Sequence, residues 1–321
     1  MKRFIAMILC LLMLVSLAAC GGSETTTEGK YVIGVCQIEP HEALDAATKG
    51  FKDALTEALG AENVEFIDGN AAGDSNTLNT IINDYVSRDV DMILANATPV
   101  LQTAANATTT IPILGTSVTE YGVALDIENF DGLVGGNISG TSDLAPLDKQ
   151  ADMITEWFPE AQKVGLLYCG AEANSKYQVD TVKGYLEDKG LTCTAYSFSS
   201  TSDISAVTQA AAEESDVIYV PTDNTAANNK EMIDSICRAA KVPIIAGEEN
   251  LCAGCGVATL SISYYDLGVA TGEMAAKILK GEANISEMKI EYAKTQTAKY
   301  NKEICEELGI TPPEGYVAIG E

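Results

Sequence analysis

The chain has 321 residues, with 46 Asp and Glu against 20 Lys and Arg, a formal charge of −26 and a single histidine. So acidic a surface repels nucleic acid and anionic lipid headgroups while keeping the body in solution. One histidine, His41, cannot supply a zinc site built on several, and no nucleophile-elbow motif accompanies it as Ser-His-Asp hydrolysis would need.

The amino end is positive (Lys2, Arg3) and leads into an apolar stretch from Phe4 to Ala19. That stretch is shorter than the roughly 20 residues of a membrane-spanning helix. Charged, then apolar, then small is the order of a secretory signal; an uncleaved anchor helix is the alternative. Leu17-Ala18-Ala19-Cys20 resembles the bacterial lipoprotein box, which implies cleavage of residues 1–19 and acylation of Cys20. Several acyl chains anchor a protein stably where one does not. Losing Lys2 and Arg3 and no acid changes the charge to −26 − 2 = −28. "GGSETTTEGK", Gly21 to Lys30, is too small and polar to order itself, so residues 20–30 form a lipidated cysteine and flexible tether.

From Tyr31 the pattern alternates. "KYVIGVCQ" is a short β-branched run, as a strand covered on both faces should be. Leu44, Ala47, Phe51, Ala54, Leu55 and Leu59 recur at helical spacing and stop at Gly60. "VEFID", "DMILANA" and "IPILGTS" read as strands; "SNTLNTIINDYVSRD" and "PVLQTAANATT" read as helices between them. After "GGNISGTSD" a second series begins. Its strands are "KVGLLYC", "TCTAYSF", "DVIYVPT", "VPIIAG" and "GVATLSIS". Its helices include "LDKQADMITEWFP", with Trp157 on the apolar side, "NSKYQVDTVKGYLEDKG", "ISAVTQAAAEES" and "TAANNKEMIDSICRAAK". "YDLGVATGEMAAKILKG", a short strand "MKIEYA" and a closing "YNKEICEELGI" complete the chain.

Two successive βα series predict two parallel α/β sheets, with ligands bound where strand carboxyl ends face each other. A ligand held by both lobes can close them about a hinge. Seven cysteines follow Cys20, an odd number at scattered spacings, which is no disulfide framework. Cys36 and Cys169 fall in apolar strands as core thiols. Cys252-Ala-Gly-Cys255 lacks a second ligand pair for a metal and reads as buried or loop thiols or a local disulfide.

The ordered set "GVCQIEPHEALDAATKGFKDAL", "NAAGDSNTLNTI", "ILANATPVLQTAANATTTIPILGTSVT", "GGNISGTSDL", "AEANSKYQV", "YVPTDNTAA", "IIAGEEN" and "SISYYDLGVATGEMAAKILKGE" resembles the ABC transporter substrate-binding family that includes the tryptophan-binding type. The chain departs from that family's usual first loop with Glu39-Pro40-His41-Glu42, and carries a longer run, "EYGVALDIENFDG", after Thr119. The resemblance implies two Rossmann-like lobes of the type I periplasmic-binding-protein kind. Residues 31–137 plus about 263–290 would form the first lobe, and 138–262 plus about 291–321 the second. It further implies a monomeric lipoprotein on the outer face of the cell membrane, without cofactor or covalent chemistry. Such a protein would hand an aromatic amino acid (Trp, Phe or Tyr) to an ABC permease and its ATPase subunit. A sugar or nucleoside binder, a ligand sensor, and a surface enzyme relying on His41 are the alternatives. Arg88 and Arg238 fall in outer helices, which weighs against arginine-based sugar or phosphate reading.

A free amino acid needs donors for its carboxylate and acceptors for its ammonium. Thr98, opening a helix, and Thr116 and Ser117, at a strand end, are candidate donors; helix or turn capping is the other role for Thr98 and Ser117. Thr222, Asp223 and Asn224 follow a strand of the second lobe, with Asp223 either the ammonium partner or an N-cap. Glu172, Asn174, Ser175 and Gln178 form a polar loop, and Glu248 is a second anionic candidate. His41, Tyr264 and Tyr265 could wall the side-chain pocket or simply pack. Asn137 completes the candidate set, within the Gly135-Gly136-Asn137 stretch expected to mark the first hinge crossing.

Overall fold

A computed structural model describes residues 29–320. The expected signal, the Cys20 acylation site and the tether through residue 28 lie outside the described residues. The first series runs β1 (Tyr31–Gln37), α1 (Glu42–Leu59), β2 (Val64–Asn70), α2 (Ser75–Ser87), β3 (Met92–Asn96), α3 (Thr98–Ala107), β4 (Ile113–Val118), α4 (Tyr121–Ala124) and β5 (Ile138–Ser142). The second runs α5 (Leu147–Trp157), β6 (Lys163–Cys169), α6 (Ala173–Asp188), β7 (Thr192–Phe198), α7 (Thr201–Glu214), β8 (Val217–Val220), α8 (Asn224–Asn228), α9 (Lys230–Ala240), β9 (Ile244–Ala246), α10 (Glu249–Cys255) and β10 (Ala258–Ser261). Then follow α11 (Tyr264–Leu279), β11 (Glu291–Tyr292), β12 (Thr297–Tyr300), α12 (Lys302–Leu308) and β13 (Val317–Ala318).

One sheet has strand order β11-β5-β4-β3-β1-β2 and the other β13-β12-β10-β9-β8-β6-β7. All described pairings are parallel except β10 with β12, which is antiparallel at the far side of the second sheet. The apolar stripe expected for α1 is buried at Leu44, Ala47, Phe51 and Leu55. Trp157 packs edge-on to Tyr316, ring centroids 5.0 Å apart, in the core of the second lobe. Burying these stripes is the main favourable term in folding, at roughly 1.5–3 kcal/mol for each large apolar side chain.

The lobe boundaries differ from those expected. Strand 138–142 pairs with β4, and Glu291–Tyr292 pairs with that strand, so both belong to the first sheet. The first crossing therefore follows Ser142, the second lies between Ser261 and Tyr264, and the third between Tyr292 and Thr297. "ISGTS" reads as loop because it is small and polar. It is a strand because it pairs with β4, and at Gly140 a side chain would lie 2.1 Å from Gly115 O, so only glycine fits there. Gly135-Gly136-Asn137 is accordingly not the hinge. The Asn137 amide donates to Thr108 O (3.2 Å) and Ile111 O (2.7 Å), away from the facing strand ends.

Cys252 and Cys255 lie within α10, where both thiols are free, buried and pushed upward in pKa by that burial. Among the described residues no helix is long and apolar enough to cross a membrane, and no group of His, Cys, Asp and Glu is arranged to hold a metal ion.

Candidate functional site

The carboxyl ends of the two sheets face each other across a cleft, and the loops after β1, β4, β5, β6, β8 and β9 supply its walls. His41, Ser117, Asn174, Thr222, Asp223, Asn224, Glu248 and Tyr264, all expected from the sequence, line one enclosed space. Leu44, Thr119, Asp143 and Ala227 join them. Lobe meets lobe directly here: His41 Nε2 lies 3.3 Å from Asn224 Oδ1, and Lys230 Nζ lies 3.0 Å from Glu42 Oε2. The enclosed space is about 10 Å³, room for roughly one water. Two crevices of about 470 and 410 Å³ flank it, each lined by both lobes. The small space is nevertheless the chemically distinctive one, because unpartnered polar atoms converge there.

Four buried atoms in that lining have no hydrogen-bond partner among the described residues: Ser117 Oγ, His41 Nδ1, Asp143 Oδ1 and Asn174 Oδ1. A buried polar group left bare costs about 1–3 kcal/mol, so four in one place mark a site built for something else. The backbone is strained beside them. Ser117 sits at φ +54° on β4 and Ala97 at φ +99° between β3 and α3, a region non-glycine residues rarely occupy.

Each polar group is held from behind. His41 stands at the N-cap position of α1 yet makes no capping bond, so its ring is free to face the cleft. Burial pushes its pKa below the ordinary value, which keeps it neutral near pH 7. Asp143, the first residue past β5, accepts from Tyr264 OH at 2.9 Å, and burial holds its carboxyl above the ordinary range. The Asn174 amide nitrogen faces Glu172 Oε2 (3.2 Å) and Thr222 O (3.2 Å), which turns its oxygen toward the cavity.

Other predicted residues hold the frame. Asp223 accepts from Cys169 N (2.7 Å) and Ala226 N (2.8 Å), so both carboxylate oxygens are engaged as a loop tie and helix cap. Burial and the nearby Glu172 raise its pKa to about 8. Glu248 caps α10 through Leu251 N and Asn250 N, and burial raises its pKa to about 7. Gln178 clamps Thr222 by both its N–H (3.1 Å) and its carbonyl (3.0 Å). Ser175 lies behind Asn174, and Thr116 is buried under Thr141 in the sheet. Thr98 is buried at the start of α3, outside the lining. Arg88 pairs with Asp84, and Arg238 with Asp234 and Glu307, so neither arginine lines the cavity.

Asp143 escaped the sequence reading because it ends a polar "GTSD" run that looks like a turn. The lining carries three carboxyl groups, Asp143, Asp223 and Glu248, and no lysine or arginine, and of the three only Asp143 has an oxygen left unpartnered. It suits a ligand with a positively charged N–H donor group whose negative end is met by hydroxyls such as Ser117 and Thr119.

Known proteins show the same architecture. The family described as "ABC transporter substrate binding protein" matches residues 32–319. A tyrosine-binding protein of Clostridioides difficile is 34% identical over 295 residues, covering 88% of this chain and 84% of that protein. Among solved structures, an ABC domain from Streptococcus pneumoniae in complex with L-Trp is 32% identical, with a TM-score of 0.86 over 91% of this chain and 100% of that one. A ligand-free, open substrate binding protein with adhesive properties from Clostridium difficile is 33% identical, with a TM-score of 0.68 over 90% of this chain and 99% of that one.

Proposed function

Since this chain belongs to the ABC transporter substrate-binding protein family, a class of transport proteins with the type I periplasmic-binding-protein fold and not a class of enzymes, we propose that it captures a free aromatic amino acid between its lobes and delivers it to a permease. The observation that carries this reading is the convergence of four unpartnered buried atoms, from both lobes and the crossing between them, on one cavity. Asp143 Oδ1 and Asn174 Oδ1 accept from the ligand ammonium, and Ser117 Oγ donates to its carboxylate. Tyr264, His41 and Leu44 flank the side chain.

Small-ligand pockets run to about 300–1,000 Å³, so the ligand enters only when the lobes part. Two comparisons at nearly equal identity support a hinged clamp. The chain superposes better on the L-Trp complex (TM-score 0.86) than on the open, ligand-free relative (0.68), as a closed conformation would. The tyrosine-binding and L-Trp-binding relatives favour an aromatic amino acid over a sugar. In this reading Cys20 carries the lipid anchor, the tether lets the clamp reach both ligand and permease, and a separate ATPase subunit powers import.

The test is a thermal-shift screen of the purified protein against the twenty amino acids, sugars and nucleosides. A ligand that binds only the folded state adds about 2.7 kcal/mol of stability at a hundred times its Kd. L-Tyr, L-Trp or L-Phe should raise the Tm. A shift with a sugar and none with these three would overturn the ligand assignment.

A further inference from the structure

The cavity contains the only histidine in the chain, and its neighbours fix which of its nitrogens carries a proton. Glu172 is buried after β6, where its carboxylate receives Asn224 Nδ2 at 2.6 Å, Asn224 N at 3.2 Å, Thr225 N at 3.0 Å and Thr225 Oγ1 at 2.9 Å. A carboxylate only accepts, so the Asn224 amide must point its NH₂ at Glu172 and its carbonyl oxygen away. That oxygen faces His41 Nε2 across the cleft at 3.3 Å. A carbonyl oxygen also only accepts, so Nε2 carries the proton. In a neutral imidazole the other nitrogen is then a bare lone pair. Nδ1 is the buried, unpartnered atom in the cavity lining.

We propose that Glu172 and Asn224 are positioning residues that set the His41 tautomer when the lobes meet, so that Nδ1 accepts a hydrogen bond from an N–H or O–H of the bound amino acid. The inference rests on the amino-acid reading and extends it. His41 selects for a donor at its position, and does so only in the closed clamp, because Asn224 and His41 belong to different lobes. Burial lowers the imidazole pKa and outweighs the opposing pull of the Asn224 hydrogen bond and of Glu172, Asp45 and Glu42, which agrees with a neutral ring. The N-cap position gives the same message: serine or aspartate would cap α1 better, and the ring held there makes no cap at all.

With one histidine in the chain, ¹⁵N-histidine labelling reports this ring alone. The protein saturated with L-Tyr at pH 7 should show Nε2 protonated and Nδ1 as an unprotonated nitrogen accepting a hydrogen bond. In that complex Asn224→Ala should move both signals toward the averaged values of a free imidazole and weaken L-Tyr binding roughly tenfold. Glu172→Gln, which spares the Asn224 side chain, should do the same in smaller measure and serves if Asn224→Ala folds poorly. An imidazolium, a proton on Nδ1, or weakened binding with an unchanged spectrum would overturn the proposal. If none of L-Tyr, L-Trp and L-Phe binds, the amino-acid reading fails. The tautomer is then decided in ligand-free protein with the lobes cross-linked shut, where Asn224→Ala should still move both signals and an unchanged spectrum overturns the proposal.

Discussion

Asp143 and Asp223 line the same cavity and have opposite uses. Asp143 has one oxygen on Tyr264 OH and the other bare, whereas both oxygens of Asp223 are committed to backbone N–H groups. Asp143→Asn keeps an acceptor for Tyr264 and turns an NH₂ donor toward the cavity in place of the bare carboxylate oxygen. A hydrogen bond to a charged group is worth about 1.5–3 kcal/mol, so L-Tyr affinity should fall roughly 10- to 100-fold by calorimetry, with the urea midpoint unchanged or slightly raised. Asp223→Ala strands the Cys169 and Ala226 N–H groups and should lower stability by about 2 kcal/mol or more. Equal affinity losses at the two positions, or a stability loss at Asp143 alone, would reverse the assignment. Sequence could name Asp223, because an acid after a strand and before a helix is a visible signal. It could not show that the capping role consumes both oxygens, since that depends on β6 lying alongside β8. Nor could it single out Asp143, whose partner Tyr264 is 121 residues away.

Helices α1 and α11 bring His41 and Tyr264 together, and they do so through glycine. A side chain at Gly50 would lie 2.1 Å from Tyr265 O, and one at Gly268 would lie 2.0 Å from Ala47 O. The two backbones touch where any larger residue would separate them. Gly268→Ala should destabilise by about 1–3 kcal/mol through overpacking and should also weaken L-Tyr binding, because α1 begins at His41 and α11 at Tyr264. Gly184, inside α6, has no atom within 4 Å of where its side chain would stand. Gly184→Ala should therefore stabilise, by roughly 0.5–1 kcal/mol, through helix propensity. Urea unfolding of the two variants checks both signs at once. The same contrast explains what was legible. Strands β1, β3, β4, β6 and β8 and the long helices announce themselves by β-branched runs or apolar residues at helical spacing. Strand β5 does not, because its small residues fit a crowded sheet. Strands β12 and β13 are short pieces at one side of the second sheet whose pairing is decided by the third crossing, and α10 is about two capped turns carrying buried thiols.

For the whole molecule the question is what keeps the empty clamp from staying shut. Closing the lobes buries Glu39, and burial first and Glu172 second raise its pKa from the ordinary 4.5 to about 7. Thr225 and Asn228, the other second-lobe groups against it, are uncharged hydrogen-bond donors that pull the other way. A raised carboxyl pKa means that the closed form holds a proton the open form releases between about pH 4.5 and 7. Closure therefore has its full support below about pH 4.5 and loses it as pH rises through about 7. Asp143, Asp223 (about 8) and Glu248 (about 7) shift in the same direction, so at neutral pH the empty closed form confines several carboxyls together. Burial is the main cause of these shifts, and the ammonium of a bound amino acid offsets part of that desolvation cost, which is how an acidic, lysine-free cavity can couple closure to capture. In ligand-free protein the closed fraction, read by small-angle scattering or a fluorophore pair across the lobes, should be larger at pH 5.5 than at pH 8. Glu39→Gln should remove its share of the difference and leave the clamp more closed at pH 8. Saturating L-Tyr should close wild type and variant alike at both pH values. A ligand-free closed fraction that grows with pH, or a Glu39→Gln profile identical to wild type, would show that closure is governed by contacts other than these buried carboxyls.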